Sequence, residues 1–339
     1  MKKLFKILAV TIITLSAAPL LVGLILKSFN DEVPPPGQMV DVGGYKLHIH
    51  CTGADTGLPT VVIETGSGEA LPLFYWIQKG VSATTKVCSY DRAGLGWSEE
   101  SGLPRDSKTV NEALHTLLNK AGIKRPFVFV GHSIAGLYNR DYIERYPGEV
   151  SGLVLLDPSH PRQGEVLNID NKKFYPALAN QIHTLQSMIK WGITELYNPT
   201  EAGRDYNLIL EYPAEIQRQL AYISKRVTTY DAFLAEFRDF DLAALQADRN
   251  KTLGDIPFTL ISAGTAQNAE DWPEELDSET ITQKLMSLHT EMEGLSTNSK
   301  RAIIKEADHM SLILNRTYAE QTIPYILEVI LGAETPLAY

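Results

Sequence analysis

Hydrophobic and polar positions divide the chain into an apolar start, a region of strands and helices, a helical region, and a second region of strands and helices. Between residues 40 and 160, short apolar runs alternate with helical spacing, which is typical of a parallel sheet covered by helices. The predicted strands in this region are 46–51, 60–65, 86–90, 127–130 and 152–156. The last two are almost wholly apolar, as expected of strands buried on both faces. The pattern therefore predicts an α/β fold with a mostly parallel central sheet flanked by helices.

Two helices are predicted between these strands. Apolar residues at helical spacing over 110–121 predict the first, which Asp106 or Ser107 can cap and the glycine after it can end. The second helix is expected to begin just after Ser133 and to stop at Pro147-Gly148.

Strand patterns disappear between about 161 and 250, where helical stretches rich in Tyr, Phe and Leu, such as 180–190 and 214–225, take their place. Strand patterns return at 257–262 and 301–304, and a closing helix is predicted over 323–331. The simplest interpretation is one α/β core, formed by residues 40–160 and 251–339, with a helical cap, residues 161–250, inserted between two of its strands.

The first thirty residues have the pattern of a targeting element. Three lysines within the first six residues precede an uncharged run, 7–26, long enough for about 30 Å of helix, the hydrocarbon thickness of a bilayer. This length favours a membrane anchor, residues 1–30, over a cleaved signal peptide, for which the small residues at 16–18 offer a cleavage site. An anchor places the body on the non-cytoplasmic side of the membrane, and cleavage would make it secreted or periplasmic. Residues 31–39, which contain three consecutive prolines, are predicted to form a stiff spacer.

Composition and charge exclude several classes of protein. Apolar residues make up 44% of the chain and charged residues 21%, which predicts a packed globular core. The formal net charge is −10, and it is −14 once the four lysines of the first thirty residues are set aside. Such an acidic body argues against nucleic acid as a partner, because the phosphate backbone attracts clustered Lys and Arg. The two cysteines and the absence of a CxxC or Cys/His spacing give no indication of a metal site.

The most informative segment is Gly131-His132-Ser133-Ile134-Ala135-Gly136, which follows an apolar strand and precedes a helix. A strained strand-to-helix turn of this kind presents a serine hydroxyl at the top of a sheet, and small residues two positions before and after the serine let strand and helix approach. Gly131 supplies the first small residue, and Ala135 stands where glycine is usual. On the short motif alone, an ordinary turn that happens to contain a serine remains an alternative. The surrounding strand and helix favour a nucleophile.

Four motifs in the same order resemble those of α/β-hydrolase fold enzymes. They are the Ser133 turn, the run 88–98, which resembles the family's DRxGxGxS loop, the run 152–158, and Ala307-Asp308-His309, which resembles the turn that bears the family's histidine. The resemblance covers about residues 40–160 and 255–335, and the uncovered middle agrees with the variable cap that these enzymes insert there. It implies the α/β-hydrolase fold and a catalytic triad in the order Ser, acid, His.

The resemblance assigns Ser133 as the nucleophile and His309, after the last predicted strand, as the base that removes its proton. The acid is expected after one of two strands. Asp157 ends the run 152–156 at the sheet edge, whereas the alternative, Asp271, lies beyond a stretch in which Gln267 stands where the family has aspartate. The motif position favours Asp157 over Asp271, although an aspartate before a proline can also have a purely structural turn role.

Two backbone N–H groups are predicted to stabilise the oxyanion, those of Ile134 and Ser67. Ser67 lies in the run Thr65-Gly66-Ser67-Gly68, where the family usually has His-Gly. A dinucleotide-binding loop is the other interpretation of these glycines, but the third glycine is missing. The side chain of His132 is expected to point away from the reaction centre. His48 and His50 share a strand face without a third ligand, so no metal is predicted there. Hydrolysis by Ser133 and His309 requires no cofactor, and none is predicted.

Taken together, the residues and the resemblance predict a serine hydrolase that cleaves a small-molecule carboxylic ester through an acyl-enzyme intermediate. A peptidase, a thioesterase, an acyltransferase or a non-catalytic binding protein on the same fold remains an alternative. Some aromatic residues of the cap are expected to line an acyl pocket, and most to pack the cap itself. The family's strand order makes the strands of Cys51 and Cys88 neighbours, which predicts either a disulfide between them or two buried thiols.

Overall fold

The computed structural model describes residues 18–30, 32–197, 205–266 and 277–333. Within these residues, eight strands form one sheet in the order β1-β2-β4-β3-β5-β6-β7-β8. In chain order, β1 to β8 are Gln38–Asp41, Lys46–Thr52, Thr60–Glu64, Val87–Asp91, Phe127–His132, Val150–Leu156, Phe258–Ala263 and Ser299–Ile304. The pairs β1–β2 and β2–β4 are antiparallel, and the five other pairs are parallel. The prediction of a mostly parallel central sheet is confirmed.

Helices flank the sheet and fill the region between β6 and β7. In chain order, α1 to α12 are 18–28, Tyr75–Val81, Ser107–Lys120, Ala135–Arg145, Gln163–Leu167, Asn171–Lys190, Tyr206–Ile209, Ala214–Ile223, Val227–Ala247, Ser278–Glu293, Ser311–Leu314 and Arg316–Gly332. The helices α5 to α9 follow one another between β6 and β7, and the described residues there contain no strand. The predicted helical character of this inserted region is therefore correct.

The core lies on both faces of the sheet. Along β5, Val128 and Val130 point into a cluster with residues of α2, α11 and α12, while Phe127 and Phe129 point into a second cluster with residues of α3 and α4. This alternation is the two-residue period of a strand, and burial on both faces explains why β5 reads as one continuous apolar run.

Several predicted boundaries differ from the structure. β1 was not predicted, and it begins at Gln38, so the extended spacer is shorter than the predicted 31–39. A four-residue edge strand with only its middle positions half-buried carries too little apolar pattern to be recognised. α10 was also missed, and α12 begins at Arg316 rather than at 323, because Pro324 inside the helix masks the helical pattern.

Cys51 and Cys88 occupy directly opposite positions on the antiparallel strands β2 and β4. A disulfide joins their sulfur atoms. This confirms the disulfide over the alternative of two free thiols.

The N-terminal helix α1 packs against the cap. Gly23 lies so close to Gly192 that a Cβ atom on either would meet backbone atoms of the other, and Lys27 Nζ donates to the carbonyl oxygen of Ile189 at 2.9 Å. Residues 1–17, which hold the start of the predicted anchor, lie outside the described residues. Among the residues that are described, no helix is long and apolar enough to cross a membrane.

Candidate active site

Ser133 occupies a strained turn between β5 and α4. Its φ of 56° lies in the left-handed region, which costs free energy for a residue with a Cβ atom. The Ser133 N–H donates to the carbonyl oxygen of Leu156 at 3.2 Å, and its own carbonyl accepts from Gly136 N at 3.0 Å. These hydrogen bonds anchor the turn to the end of the neighbouring strand β6. The geometry is that of a nucleophile elbow.

The residues around the turn explain why it forms here. A Cβ atom on Gly131 would lie 2.5 Å from the side-chain nitrogen of Asn139 and 2.9 Å from the Cβ atom of Ala135, so strand and helix approach closely only because residue 131 is glycine. The alanine at position 135, where the family usually has glycine, is accommodated against that glycine.

The structure brings Asp157 and His309 into direct contact. Asp157 follows β6 and His309 follows β8, and His309 Nδ1 donates to Asp157 Oδ2 at 2.6 Å. The other carboxylate oxygen of Asp157 accepts from Ala263 N at 3.0 Å, which fixes the orientation of the carboxylate. Asp157 is the predicted acid, whereas the alternative Asp271 and its neighbour Glu270 lie outside the described residues.

The electrostatics of this pair favour the charged forms of both side chains. Burial acts to raise the pKa of Asp157, but the hydrogen bond and positive charge of His309 outweigh it and hold that pKa well below its usual range. Burial acts to lower the pKa of His309, and the hydrogen bond and charge of Asp157, with the charges of Glu69 and Asp308, raise it above its usual value. The side chain of His309 is 31% exposed and that of Asp157 is 5% exposed, so the histidine can meet a substrate and the acid lies behind it.

Ser133, Asp157 and His309 line one cavity of about 90 Å³. His289 of α10 lines the same cavity and is buried, with Nε2 donating to the carbonyl oxygen of Pro158 at 3.0 Å. Ser262 Oγ donates to His289 Nδ1 at 2.9 Å. His289 therefore supports the chain segment that carries Asp157, a role that sequence reasoning missed because nothing in the local sequence around residue 289 indicates it.

His132 does not point away from the centre as expected. Its ring centroid is 4.4 Å from that of His309, and Nε2 donates to the carbonyl oxygen of His309 at 3.1 Å. Nδ1 donates to Glu69 Oε1 at 2.8 Å. Burial acts to raise the pKa of Glu69, but the charges of His132 and His309 lower it below the usual value. This buried pair ties the turn that carries His309 to the end of β5.

The two backbone N–H groups predicted for the oxyanion have no acceptor among the described residues. Neither the N–H of Ile134 nor that of Ser67 takes part in a backbone hydrogen bond or donates to a side chain. The side chain of Ser67, in contrast, is held in place, because Ser67 Oγ donates to Glu236 Oε2 at 3.0 Å. Neither Ile134 nor Ser67 is among the residues that line the cavity of Ser133, Asp157 and His309, so their role as oxyanion donors stays a prediction.

The loop after β4 is organised around Asp91. Asp91 Oδ1 accepts from Leu71 N at 2.9 Å, and Oδ2 accepts from Trp97 N at 3.1 Å and from His48 Nδ1 at 2.7 Å. A Cβ atom on Gly96 would collide with this carboxylate, which explains a glycine at that position of the DRxGxGxS-like run. His48 is consequently engaged by Asp91, and in the described part of the chain no group of three or more His, Cys, Asp or Glu side chains is placed to hold a metal ion.

Aromatic residues of the cap divide between packing and a wide cleft. Phe174 and Phe240 line an open cleft of about 1340 Å³ between α5, α6, α9 and α10. Tyr212 is buried and packs against Trp76, with ring centroids 5.3 Å apart. Trp191 is exposed.

Sequence comparison agrees with the observed fold. The protein family described as alpha/beta hydrolase fold matches residues 59–188. The uncharacterized protein YbdG of Bacillus subtilis is 34% identical over 175 residues, which are 48% of this chain and 53% of YbdG. The chain thus spans about half the length of this relative.

Solved structures agree as well. An esterase from Thermogutta terrifontis has a TM-score of 0.56 at 17% identity, and the match covers 88% of this chain and 100% of that chain. The enol-lactonase from Burkholderia xenovorans LB400 has a TM-score of 0.60 at 16% identity, with 87% and 100% covered. This protein has the α/β-hydrolase fold. The family match over residues 59–188 agrees with this fold.

Proposed function

We propose that the protein is a serine hydrolase that cleaves a carboxylic ester through an acyl-enzyme intermediate. The observation that carries the proposal is the hydrogen bond between Asp157 and His309 in the cavity that Ser133 also lines, with Ser133 held in a left-handed turn. A serine hydroxyl becomes a nucleophile only when a base removes its proton, and a carboxylate behind the histidine stabilises the imidazolium that forms.

The proposed reaction has two halves. Ser133 Oγ attacks the ester carbonyl while His309 Nε2 takes the hydroxyl proton, and the N–H groups of Ile134 and Ser67 donate to the oxyanion. The intermediate collapses, the alkoxide leaves with the proton from His309, and an acyl-Ser133 ester remains. Water then attacks this ester with His309 again as the base, which releases the carboxylic acid and restores Ser133. Asp157 holds Nδ1 of His309 throughout, so that Nε2 faces the reaction.

The wide cleft between the cap helices and α10 is large enough for a substrate with a large acyl or alcohol group. Gln163 lines the triad cavity, and its chain neighbours Arg162 and Gly164 line the wide cleft, as do apolar side chains such as Phe174 and Phe240. The esterase and the enol-lactonase with this fold act, by their names, on an ester and on an enol-lactone, which supports ester chemistry here.

A panel of p-nitrophenyl esters of increasing acyl chain length tests the proposal, with matched thioesters and p-nitroanilides of the same acyl groups alongside. We expect turnover of the esters at least about 10²-fold above Ser133→Ala for the best chain length. Turnover of the anilides or thioesters alone would contradict ester hydrolysis, and no turnover of any member by folded protein would contradict hydrolase activity.

We also propose that the body of the protein lies on the non-cytoplasmic side of a membrane. The basic residues before the uncharged run 7–26 support this orientation, since such residues remain in the cytoplasm. The disulfide between Cys51 and Cys88 supports it independently, because disulfides persist in oxidising compartments and are rare in the cytosol.

A further inference from the structure

The loop that carries Ser67 is held by a buried cluster of three ionisable side chains, Glu64, Arg92 and Glu236. Arg92 is 2% exposed, and Nη1 donates to Glu64 Oε1 at 2.7 Å while Nε donates to Glu236 Oε1 at 2.7 Å. Both carboxylates are fully buried. Burial acts to lower the pKa of Arg92, but the two carboxylates raise it well above its usual value, so the guanidinium is charged. We call these three residues the Arg92 cluster.

The Arg92 cluster forms hydrogen bonds with each of the residues 65–68 in the loop that carries Ser67. Arg92 Nη1 donates to the carbonyl oxygen of Thr65 at 2.6 Å, and Nη2 donates to that of Gly66 at 2.6 Å. From the other side, Glu236 Oε2 accepts from Ser67 Oγ at 3.0 Å and from Gly68 N at 2.9 Å. The backbone N–H of Ser67, between these contacts, is left without an acceptor in the described part of the chain.

Glu236 belongs to the cap, not to the core. It lies on α9, which contacts the loop a second time through Phe233, since a Cβ atom on Gly68 would lie 2.8 Å from the Phe233 ring. The backbone of Gly68 has a φ of 70°, which also favours glycine at this point of close approach. The cap therefore rests directly on the loop, and one of its side chains accepts two of the loop's hydrogen bonds.

We propose that Glu236 of the cap is a positioning residue that, directly and together with Arg92, fixes the N–H of Ser67 for the oxyanion. The inference rests on the proposed function, because it assigns Glu236 to the same reaction. A preorganised donor stabilises the transition state only if its position is set before charge develops, and an error of about 1 Å can cost about 10²-fold in rate. The cap is then part of the catalytic machinery and does more than cover the substrate.

Glu236→Gln is the direct test. Four donors converge on the two Glu236 oxygens. Glutamine replaces one of these oxygens with an NH2 group, which donates and cannot accept, so it cannot accept all four hydrogen bonds. We expect kcat/KM to fall by about 10²-fold through kcat, with KM within about twofold of wild type. A trifluoromethyl ketone, whose adduct with Ser133 carries an oxyanion, should lose affinity in proportion to kcat/KM.

Gln246→Ala is the matched control on the same helix. Gln246 joins α9 to the start of α3 through Asp106 Oδ1 at 2.9 Å and Lys108 N at 2.8 Å, and neither of these hydrogen bonds involves the Ser67 loop. We expect this variant to retain wild-type kcat and wild-type affinity for the ketone. This variant measures how a weaker attachment of the cap to the core changes kcat and KM when the Ser67 loop is left intact.

Ser67→Ala is the milder second variant, should loss of the Glu236 charge prevent folding. It removes one hydrogen bond to Glu236 and keeps the Arg92 cluster and the residue 67 N–H, so kcat should fall about threefold to tenfold at unchanged KM. Folded Glu236→Gln or Ser67→Ala protein with the kinetics of Gln246→Ala, or with a change in KM alone, overturns the inference and leaves the proposed function intact. Undiminished turnover by Ser133→Ala overturns the proposed function instead.

Discussion

At the scale of single residues, the pair of Asp157 and His309 controls the pH range of the proposed reaction. His309 acts as a base only when its Nε2 is unprotonated, and the carboxylate of Asp157 favours the protonated ring, which raises the pKa of His309. The acid limb of kcat/KM in wild-type protein is therefore expected above the pH at which an unperturbed histidine titrates.

Asp157→Asn should lower kcat/KM by about 10³- to 10⁴-fold, because the wrong tautomer of His309 is then stabilised. Loss of the negative charge removes support for the imidazolium, so the residual activity should show its acid limb at lower pH than wild type. The measurement is kcat/KM of the best ester as a function of pH. Asp271→Asn is the control and should behave as wild type. Near-normal turnover by Asp157→Asn together with a loss in Asp271→Asn would show that the acid is Asp271.

The sequence alone does not predict the contacts of Glu236, Glu69 and His289 in the candidate site. Short motifs that can be recognised in the sequence contain Ser133, His309 and Asp157. All three residues could therefore be predicted as site residues. Glu236 lies 144 positions from Arg92, and no local pattern connects the two. Only the packing of the cap on the core brings such residues together. Which residues meet in that packing cannot be predicted from a single sequence.

At the scale of elements, the turn between β5 and α4 depends on the fit between Gly131 and Ala135. Gly131→Ala should lower the free energy of unfolding by about 1–3 kcal/mol, since its Cβ atom would overpack the contact with the α4 start. Adding Ala135→Gly removes one of the two close contacts and leaves that with Asn139, so it should restore part of the loss.

Urea unfolding of both single variants and the double variant measures this coupling. We expect the double variant to be more stable than the sum of the single effects by at least about 0.5 kcal/mol, the size typical of residues in contact. Strictly additive effects would show that strand and helix do not meet at these two positions.

Helices and strands with a strong periodic pattern of apolar residues can be predicted from the sequence, and those without such a pattern cannot. β5 and β6 are buried on both faces, and their uninterrupted apolar runs identified them. β1 is short and lies at the edge, where alternation over four residues carries little signal. α10 buries Ile281, Leu285, Leu288 and Met292 at helical spacing, and this stripe could have revealed it.

At the scale of the whole molecule, the disulfide and the N-terminal pattern make one prediction about location. In cells that produce the full chain, the protein should sediment with membranes, and its body should be open to protease from the non-cytoplasmic side. Unfolded, unreduced protein should offer no alkylatable thiol at Cys51 or Cys88. Recovery in the soluble cytoplasmic fraction with both thiols free would contradict the proposed location.

Covalent capture is the most direct test of the proposal that Ser133 is the nucleophile. Purified protein is treated with a fluorophosphonate, digested, and analysed by mass spectrometry, in parallel with Ser133→Ala protein of matched thermal stability. We expect one stoichiometric adduct on the peptide that contains Ser133, and no adduct in the variant. An adduct on another residue, or labelling that persists in Ser133→Ala, would contradict it.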